Sequence, residues 1–263
     1  YFVTTTTTNI EMIEGWFKWW LATDINLDVT IANITSELAA INIAGPKARD
    51  SLQGLTTTDI NTNEFPYMTA KESLIADIPA IMMRIGFVGE VGWEIHLPAI
   101  YSEYLWEILY SNNVQAFGVE AQRILRLEKG HVIVNQDTDS LTSPLEIGLS
   151  HIVRSTKSDY VGKNQIHQQY NRGIKRKLVG FTMHEGLPTP KDGSAIVHEG
   201  APVGRVTSAR RSPINEKPFG LAILPYNLCI EGQEVFIVIN EDLYPGSVSL
   251  EPTYDPKGSR LRA

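Results

Sequence analysis

A series of short apolar segments fills the last third of the chain and restricts the fold more than any other feature. From about residue 177 onward, segments such as KLVGFTM, PVGRVTS and EVFIVI alternate with Gly, Pro and Asp. Several short strands at this spacing are typical of a small barrel or sandwich. The polar, basic segment QQYNRGIKRK comes directly before them. A boundary in such a segment predicts two domains, residues 1–174 and 175–263.

The first part of the chain mixes helical and strand patterns. Residues 1–8 are Thr-rich and predict a β-branched strand, and Asn9 can cap the helix that follows. Gly130 suits the left-handed end of a later helix. The predicted strands are 1–8, 28–35, 38–44, 72–76, 79–87 and 92–98, and the predicted helices are 10–21, 46–52, 100–109 and 119–130. These patterns predict an α+β fold with a C-terminal β-barrel.

Composition and the absence of familiar motifs exclude several classes of protein. The formal net charge is -7 and no Lys/Arg stripe is present, which disfavours a nucleic-acid binder. No apolar run or N-terminal signal points to a membrane or to export, so a cytoplasmic location is predicted. The single cysteine, Cys229, excludes an internal disulfide. The six histidines lack metal-binding spacing, and no phosphate-binding or dinucleotide-binding glycine loop occurs.

The segment FVGEVGWEIHLP, residues 87–98, places a glutamate within an apolar strand pattern. Side chains alternate between the two faces of a strand, so Trp93, Ile95 and Leu97 share an apolar face. Glu94 and His96 share the other face. A lone glutamate in such a strand is more often solvated than bound to a ligand, and both interpretations stay open from the pattern alone.

The order of the motifs along the chain resembles one family throughout. The segments that carry this resemblance are FVTTTTTNIEMIEGWFKWWLAT, AINIAGPKARDSLQGL, FPYMTAKE, IMMRIGFVGEVGWEIHLP, RLEKGHVIVNQDTD, VGRVTSARRSP and YDPKGSRL. They resemble the tetrahydrofolate-dependent aminomethyltransferases, the family of the glycine cleavage T protein. The TTTT, FPYMT and NQDTD segments are most similar to the folate domain of the α subunit of heterotetrameric sarcosine oxidase. The implied fold is a truncated folate-binding core followed by a β-barrel.

The resemblance implies a pterin site around Glu94, which matches the last glutamate of the family's GExGxE motif. A carboxylate can accept the N–H and the NH2 of a 2-amino-4-oxo-pyrimidine edge side by side. Arg126 matches a family arginine near the folate, although a salt bridge to Glu128 or Glu94 is the alternative. Phe87 and Trp93 stand where relatives often have tyrosine, which implies aromatic packing on the pterin.

Further candidates follow from the same resemblance, each with an ordinary structural alternative. Thr6 occupies a ligand-facing position of the family, but a Thr run is also simply a strand former. Arg211, next to Arg210, suits the carboxylates of a folate tail, although an exposed loop arginine is the simpler interpretation. The polar loop of Asn135, Gln136, Asp137 and Asp139 would orient ligand-facing groups or cap local backbone.

The implied activity is one-carbon transfer in a sarcosine oxidase-like enzyme, in which tetrahydrofolate captures the carbon of a methylated amine as 5,10-methylenetetrahydrofolate. Relatives carry a further segment before the Thr run, with an aspartate beside the reactive atoms. No position here matches that aspartate, so the catalytic residues are unknown. A partner chain or a missing N-terminal segment is expected, with any flavin or NAD on another polypeptide.

Other functions on the same fold remain open from the sequence. The donor could be the aminomethyl-lipoyl carrier, dimethylglycine or a sulfonium methyl group. An iron–sulfur maintenance protein would carry a cysteine in a KGCYxGQE segment, and this chain has His131 in the matching KGHVIVNQD. A structural subunit is the last alternative, with Trp16, Trp19 and Trp20 as interface candidates.

Overall fold

A helix, an antiparallel sheet with its helices, and a closed barrel follow one another along the chain. The structure is a computed structural model that describes residues 1–23, 27–154 and 156–263. The helices are α1 (Ile10–Thr23), α2 (Ala48–Gln53), α3 (Ser102–Ser111), α4 (Val119–Glu128) and α5 (Lys163–Arg172). The strands are β1 (Leu38–Ala44), β2 (Ala70–Ile75), β3 (Ile78–Met83), β4 (Gly92–Pro98), β5 (Arg176–Met183), β6 (Ala195–His198), β7 (Ala201–Arg211), β8 (Pro218–Pro225), β9 (Glu234–Ile239) and β10 (Asp242–Ser249).

The first four strands form one antiparallel sheet in the order β1-β4-β3-β2. The alternation predicted for residues 92–98 is confirmed, because Trp93, Ile95 and Leu97 are fully buried in one core cluster. That core lies between the sheet and its helices, with α2 and α3 contributing buried leucines. The opposite face carries polar side chains such as Asn42, Glu72 and Glu94 together with the apolar Ile81 and Met83, and it is partly exposed.

The last six strands close into a barrel in the order β10-β5-β8-β7-β6-β9. Their alternating apolar residues fill the interior, and Ile196, Val206 and Ile237 are among the completely buried ones. Gly220 allows β8 to approach β7, because a Cβ at this position would lie 2.0 Å from the carbonyl oxygen of Ser208. The prediction of an α+β fold with a C-terminal barrel is confirmed.

Two predicted strands are wrong. Residues 1–6 have no regular secondary structure, and a single 3-10 turn, Thr7–Asn9, leads into α1. Residues 28–35 also form no strand. Both segments are rich in β-branched residues, but a strand is stabilised by its cross-strand neighbours, and no sheet strand in the described part of the chain pairs with them. The strand predicted for 79–87 ends earlier, at Met83.

Helix α4 joins the sheet region to the barrel. Its Leu127 packs in one buried cluster with Phe219 and Leu221 of β8. The helix ends before Gly130, whose φ of +73° is the left-handed conformation predicted for it. This turn directs the following polar loop back between the sheet and the barrel. No helix of the described residues combines the length and apolar character that crossing a membrane requires.

Candidate functional site

Glu94 and His96 lie together on the face of β4 that is turned away from the core. The Glu94 Oε1 atom is 2.7 Å from His96 Nε2, and the Glu94 side chain keeps 27% of its exposure. A carboxylate oxygen accepts, so Nε2 of His96 donates. Across the sheet, Asn42 of β1 and Met83 of β3 stand opposite Glu94. The glutamate is therefore oriented by a neighbour and still accessible to a ligand.

The N-terminal segment lies beside this pair. The ring of Phe2 meets the ring of His96 edge-on, with 5.2 Å between the centroids and an angle of 74°. Thr6 is exposed, and its carbonyl oxygen accepts from the backbone N–H of Asn9 at 2.9 Å. The Asn9 side-chain oxygen accepts from Nδ2 of Asn135 at 2.7 Å. The segment thus connects the Glu94 face to the polar loop after α4. Within the described residues, the hydroxyl of Thr6 donates to no ligand-facing group.

Phe87, in the loop before β4, and His131, in the loop after α4, contact each other. Their rings stack with centroids 5.8 Å apart and an angle of 23°, and Nδ1 of His131 lies 2.7 Å from the Phe87 carbonyl oxygen. Since a carbonyl only accepts, Nδ1 carries the proton, and in the neutral ring Nε2 is left as an acceptor. Burial lowers the pKa of His131, and the nearby Lys129 and Arg126 lower it further, against the opposing hydrogen bond to Phe87.

The lowered pKa of His131 predicts that the stability of the protein depends on pH. A ring that is harder to protonate in the folded than in the unfolded protein contributes stability above the ordinary pKa of 6.5, and that contribution is lost as the pH falls below it. We expect the free energy of unfolding to fall more from about pH 7.5 to about pH 5.5 in the wild type than in His131→Asn, whose amide also donates. Urea titrations at each pH measure the free energy of unfolding. If it changed equally with pH in the wild type and in His131→Asn, the prediction would be contradicted.

Arg126, which the resemblance places near the folate, is buried among protein contacts. Its side chain is 1% exposed, and Nη1 lies 2.6 Å from Asp137 Oδ2 and 2.9 Å from the His131 carbonyl oxygen. Nη2 donates to Ser208 Oγ on β7 at 2.6 Å. The alternative interpretation, a salt bridge from Arg126 to Glu128 or Glu94, is wrong, because its acidic partner is Asp137. Burial lowers the pKa of Arg126, and the Asp137 carboxylate opposes that shift.

Asp137 is the centre of this buried network. It is completely buried, and its Oδ1 accepts from the hydroxyls of Thr207 at 2.7 Å and Ser208 at 2.5 Å. Its Oδ2 accepts from the backbone N–H of Ile133 at 2.8 Å as well as from Arg126. Both oxygens of the Asp137 carboxylate and both terminal nitrogens of Arg126 thus have partners, which makes a buried ion pair tolerable, and only Nε of Arg126 has none among the described residues. The network connects α4, the polar loop and the barrel, so it holds that loop next to the Glu94 region.

Two further candidates occupy structural positions instead of ligand-facing ones. Trp93 is completely buried on the core face of β4, so it cannot meet a ligand held by Glu94 on the other face. Both of the Arg211 terminal nitrogens donate to backbone carbonyls, those of Glu216 and Leu187, each at 2.6 Å. The guanidinium of Arg211 therefore ties barrel loops together. The neighbouring Arg210 is paired with Glu120 at 2.5 Å.

Several residues of this region were not singled out as ligand-facing from the sequence. His96 could have been found from the period-two pattern, since it shares the face of Glu94. Phe2 meets His96, Asn9 meets Asn135 and His131 meets Phe87 only through the tertiary fold, and no local signal marks these contacts. Among the described residues, no group of three or more His, Cys, Asp or Glu side chains is arranged to hold a metal ion.

A separate apolar cavity of about 210 Å³ lies at the outer edge of β1, between this strand and the α3–α4 connection. Its walls include Trp106, Leu109, Phe117 and Val119, and no charged side chain lines it. Neither Glu94 nor His96 belongs to it. Its polar side chains are the amides of Asn42, Gln115 and Gln122, and it has no carboxylate to accept the paired N–H and NH2 of a pterin edge as Glu94 can. The candidate site is therefore the Glu94 face.

Comparisons with known proteins agree with this architecture. A family model described as the GCVT N-terminal domain matches residues 1–157, and one described as the glycine cleavage T-protein C-terminal barrel domain matches residues 176–255. Mitochondrial dimethylglycine dehydrogenase of Mus musculus is 34% identical over 89% of this chain. Sarcosine oxidase subunit alpha of Corynebacterium sp. (strain P-1) is 33% identical over 97% of it. The chain spans 28% of the length of each of these relatives.

One solved structure supports the family at the level of the fold. The glycine cleavage system aminomethyltransferase T from Bartonella henselae superposes with a TM-score of 0.73 and 26% sequence identity, and the match covers 83% of this chain and 60% of that one. All of these relatives are enzymes. On the agreement of both family models, the identities and the superposition, the chain belongs to the glycine cleavage T-protein family, whose aminomethyltransferases bind tetrahydrofolate.

Proposed function

We propose that the sheet face around Glu94 binds the pterin ring of tetrahydrofolate. The observation that carries this proposal is the Glu94 carboxylate itself, which is turned away from the core, partly exposed and held by Nε2 of His96. Among residues 1–23, 27–154 and 156–263, the second oxygen of the Glu94 carboxylate has no hydrogen-bond partner, so it and further lone pairs can accept from a ligand. These can accept the adjacent N–H and NH2 of the pterin as a charge-assisted pair. The edge-on contact between Phe2 and His96 and the half-buried Phe87 supply aromatic surface nearby.

We infer that the chain forms the one-carbon transfer part of a sarcosine oxidase-like enzyme. In that reaction, oxidation of a methylated amine such as sarcosine leaves a carbon that tetrahydrofolate captures as 5,10-methylenetetrahydrofolate. The contribution of this chain is to hold the folate in place, since positioning two reactants can supply a large part of a rate enhancement. No general acid or base is assigned, because no residue matches the family's aspartate.

The second candidate is a T-type aminomethyltransferase or another folate-dependent demethylase. It is supported by the superposition on the Bartonella henselae aminomethyltransferase and by the dimethylglycine dehydrogenase relative. All three options use the same folate site and differ in the donor. Turnover of the assembled enzyme with sarcosine, with dimethylglycine and with an aminomethyl-lipoyl carrier separates them, and turnover with the lipoyl carrier alone would replace our first choice.

The proposed active site includes residues of another polypeptide segment. We propose that a partner chain or an additional segment completes the active site, and that any flavin or NAD binds there. We also retain the division into domains 1–174 and 175–263, which is supported by the end of α5 at Arg172 and the start of β5 at Arg176. The cytoplasmic location stays a prediction.

Calorimetric titration of tetrahydrofolate into the purified protein, in the assembly in which it is isolated, tests the site. Replacing Glu94 by glutamine keeps the shape and removes the charge. We expect Kd to rise at least about tenfold, because a hydrogen bond to a charged group contributes about 1.5–3 kcal/mol.

The matched control is Glu72→Gln. Glu72 lies on β2 and is an exposed residue of the same sheet, opposite Ile81 and two strands away from β4. We expect its Kd for tetrahydrofolate to equal that of the wild type. An equal loss of affinity in both variants would indicate a general effect of charge. An unchanged Kd in Glu94→Gln would remove the pterin from this face.

A further inference from the structure

The C-terminal segment, residues 250–263, runs from the barrel back to the sheet. The backbone N–H of Tyr254 donates to the carbonyl of Glu128 at 2.9 Å, and the hydroxyl of Tyr254 contacts the carboxylate of Glu90. Leu261 is buried against Gly86, where a Cβ would lie 2.6 Å from the Leu261 Cδ1 atom. These contacts fix the course of the segment along the loop that precedes β4.

At the end of this segment, two arginines converge on one oxygen atom. Nη2 of Arg84 lies 2.6 Å from the carbonyl oxygen of Ala263, and Nη2 of Arg49 lies 2.7 Å from the same oxygen. Arg84 also donates to the carbonyl of Gly92 at 3.1 Å. Both guanidinium groups lie over the ring of Trp93, at 4.5 Å and 5.4 Å from its centroid.

The charges at this position do not balance. Arg84 is completely buried, its Nε has no hydrogen-bond partner, and in the part of the chain that the structure describes no Asp or Glu carboxylate lies within 4.0 Å of Arg84 or Arg49. Burial, followed by repulsion from Arg49, lowers the pKa of Arg84 to about 10. Arg84 is therefore a fully buried cation with the half-buried cation of Arg49 beside it, an arrangement that is unfavourable unless an anion compensates it. The oxygen of Ala263 is the acceptor that both guanidinium groups share.

We propose that Arg49 and Arg84 form a carboxylate-binding site at the position of the residue-263 carbonyl oxygen. A carboxylate has two oxygens and accepts from two guanidinium groups at once, which a single carbonyl does less strongly. Two sources can supply this carboxylate. A polypeptide that terminates at residue 263 brings its own α-carboxylate to this position, and in a longer polypeptide a free carboxylate is the alternative.

The site lies beneath the strand that carries Glu94. Trp93, on which both guanidinium groups stack, precedes Glu94 directly and faces the core. Arg84 also binds the carbonyl of Gly92 at the start of β4. A bound carboxylate therefore joins the C-terminal segment to β4 without touching the face on which we place the folate. This carboxylate site does not depend on folate binding at Glu94, and its effect is measured as a change in Tm.

The experiment compares the 263-residue chain carrying a free C-terminal carboxylate with the same chain carrying a C-terminal amide, made by ligation. The amide changes one group and removes the negative charge. We expect a lower Tm for the amide in the wild-type chain and no difference between acid and amide in Arg49→Met. Arg172→Met, an exposed arginine at the end of α5, is the control and should retain the full difference.

A second arm identifies a free carboxylate. The chain is extended by two residues after Ala263, and sodium formate is titrated against sodium chloride at equal ionic strength. A saturable rise in Tm with formate that disappears in Arg49→Met supports the site with a free ligand. Equal Tm values for acid and amide, together with no formate-specific stabilisation of the extended chain, would overturn the proposal.

Discussion

Replacing Arg126 by methionine is expected to lower the free energy of unfolding by about 3–5 kcal/mol, the usual cost of leaving one member of a buried ion pair alone. Asp137 would remain completely buried, with two hydroxyls and one backbone N–H as its donors. The side chain of methionine fills much of the space of arginine, so the loss reports mainly on the charge. Urea denaturation followed by fluorescence measures it.

The chain offers a matched control on the same helix. Arg123 is exposed and lies 3.6 Å from Glu120, a surface pair of the kind that contributes at most about 1 kcal/mol. We expect Arg123→Met to change stability by no more than that. A double variant, Arg126→Met with Asp137→Leu, should recover part of the loss, because it removes the uncompensated charge. Equal effects of Arg126→Met and Arg123→Met would mean that the buried network contributes little.

Replacing Trp93 by alanine is expected to cost about 3–5 kcal/mol, as for other large aromatic residues removed from a core. The indole is completely buried and lies between the core of the sheet and two arginine side chains. Its loss would open a cavity and would also remove the surface on which these guanidinium groups rest. Chemical denaturation gives the size of the effect, and Trp106→Ala, a half-exposed tryptophan on α3, should cost clearly less.

A conservative variant distinguishes a core role of Trp93 from a ligand role. Trp93→Phe keeps an aromatic ring in the core, so we expect a moderate loss of stability and the wild-type Kd for tetrahydrofolate. The physical reason is that Trp93 and Glu94 lie on opposite faces of β4. Normal stability combined with a tenfold weaker Kd would return Trp93 to the ligand site.

Much of the architecture could be predicted from local patterns. The barrel follows from short apolar segments separated by turn residues, and β1, β2 and β4 follow from alternation. The same alternation separates Trp93 from Glu94, and it was correct where the resemblance alone suggested that both meet the pterin. Alternation along a strand indicates directly which side chains are buried. The role of a residue in a relative applies to the matching residue here only when the surrounding residues are also the same.

The rest of the site depends on contacts between distant parts of the chain. Arg126 meets Ser208, which is 82 residues further along the sequence, and no pattern around either residue indicates this partner. Residues 1–8 show the limit of propensity, because β-branched residues form a strand only where a neighbouring strand is available. The helix, by contrast, closes its own hydrogen bonds, which is why α1 was predicted at nearly the correct bounds.

The two sheets of the molecule differ in whether they have edge strands. The barrel is closed, so all six of its strands have partners on both sides. The four-stranded sheet has two outer strands, and unpaired backbone donors and acceptors on such strands are templates for association with other chains. β2 carries Lys71 and Glu72, charges that discourage pairing, whereas β1, with the sequence LAAINIA, has neither charge nor proline. Self-association of this protein would therefore begin at β1, and a single lysine placed there should suppress it.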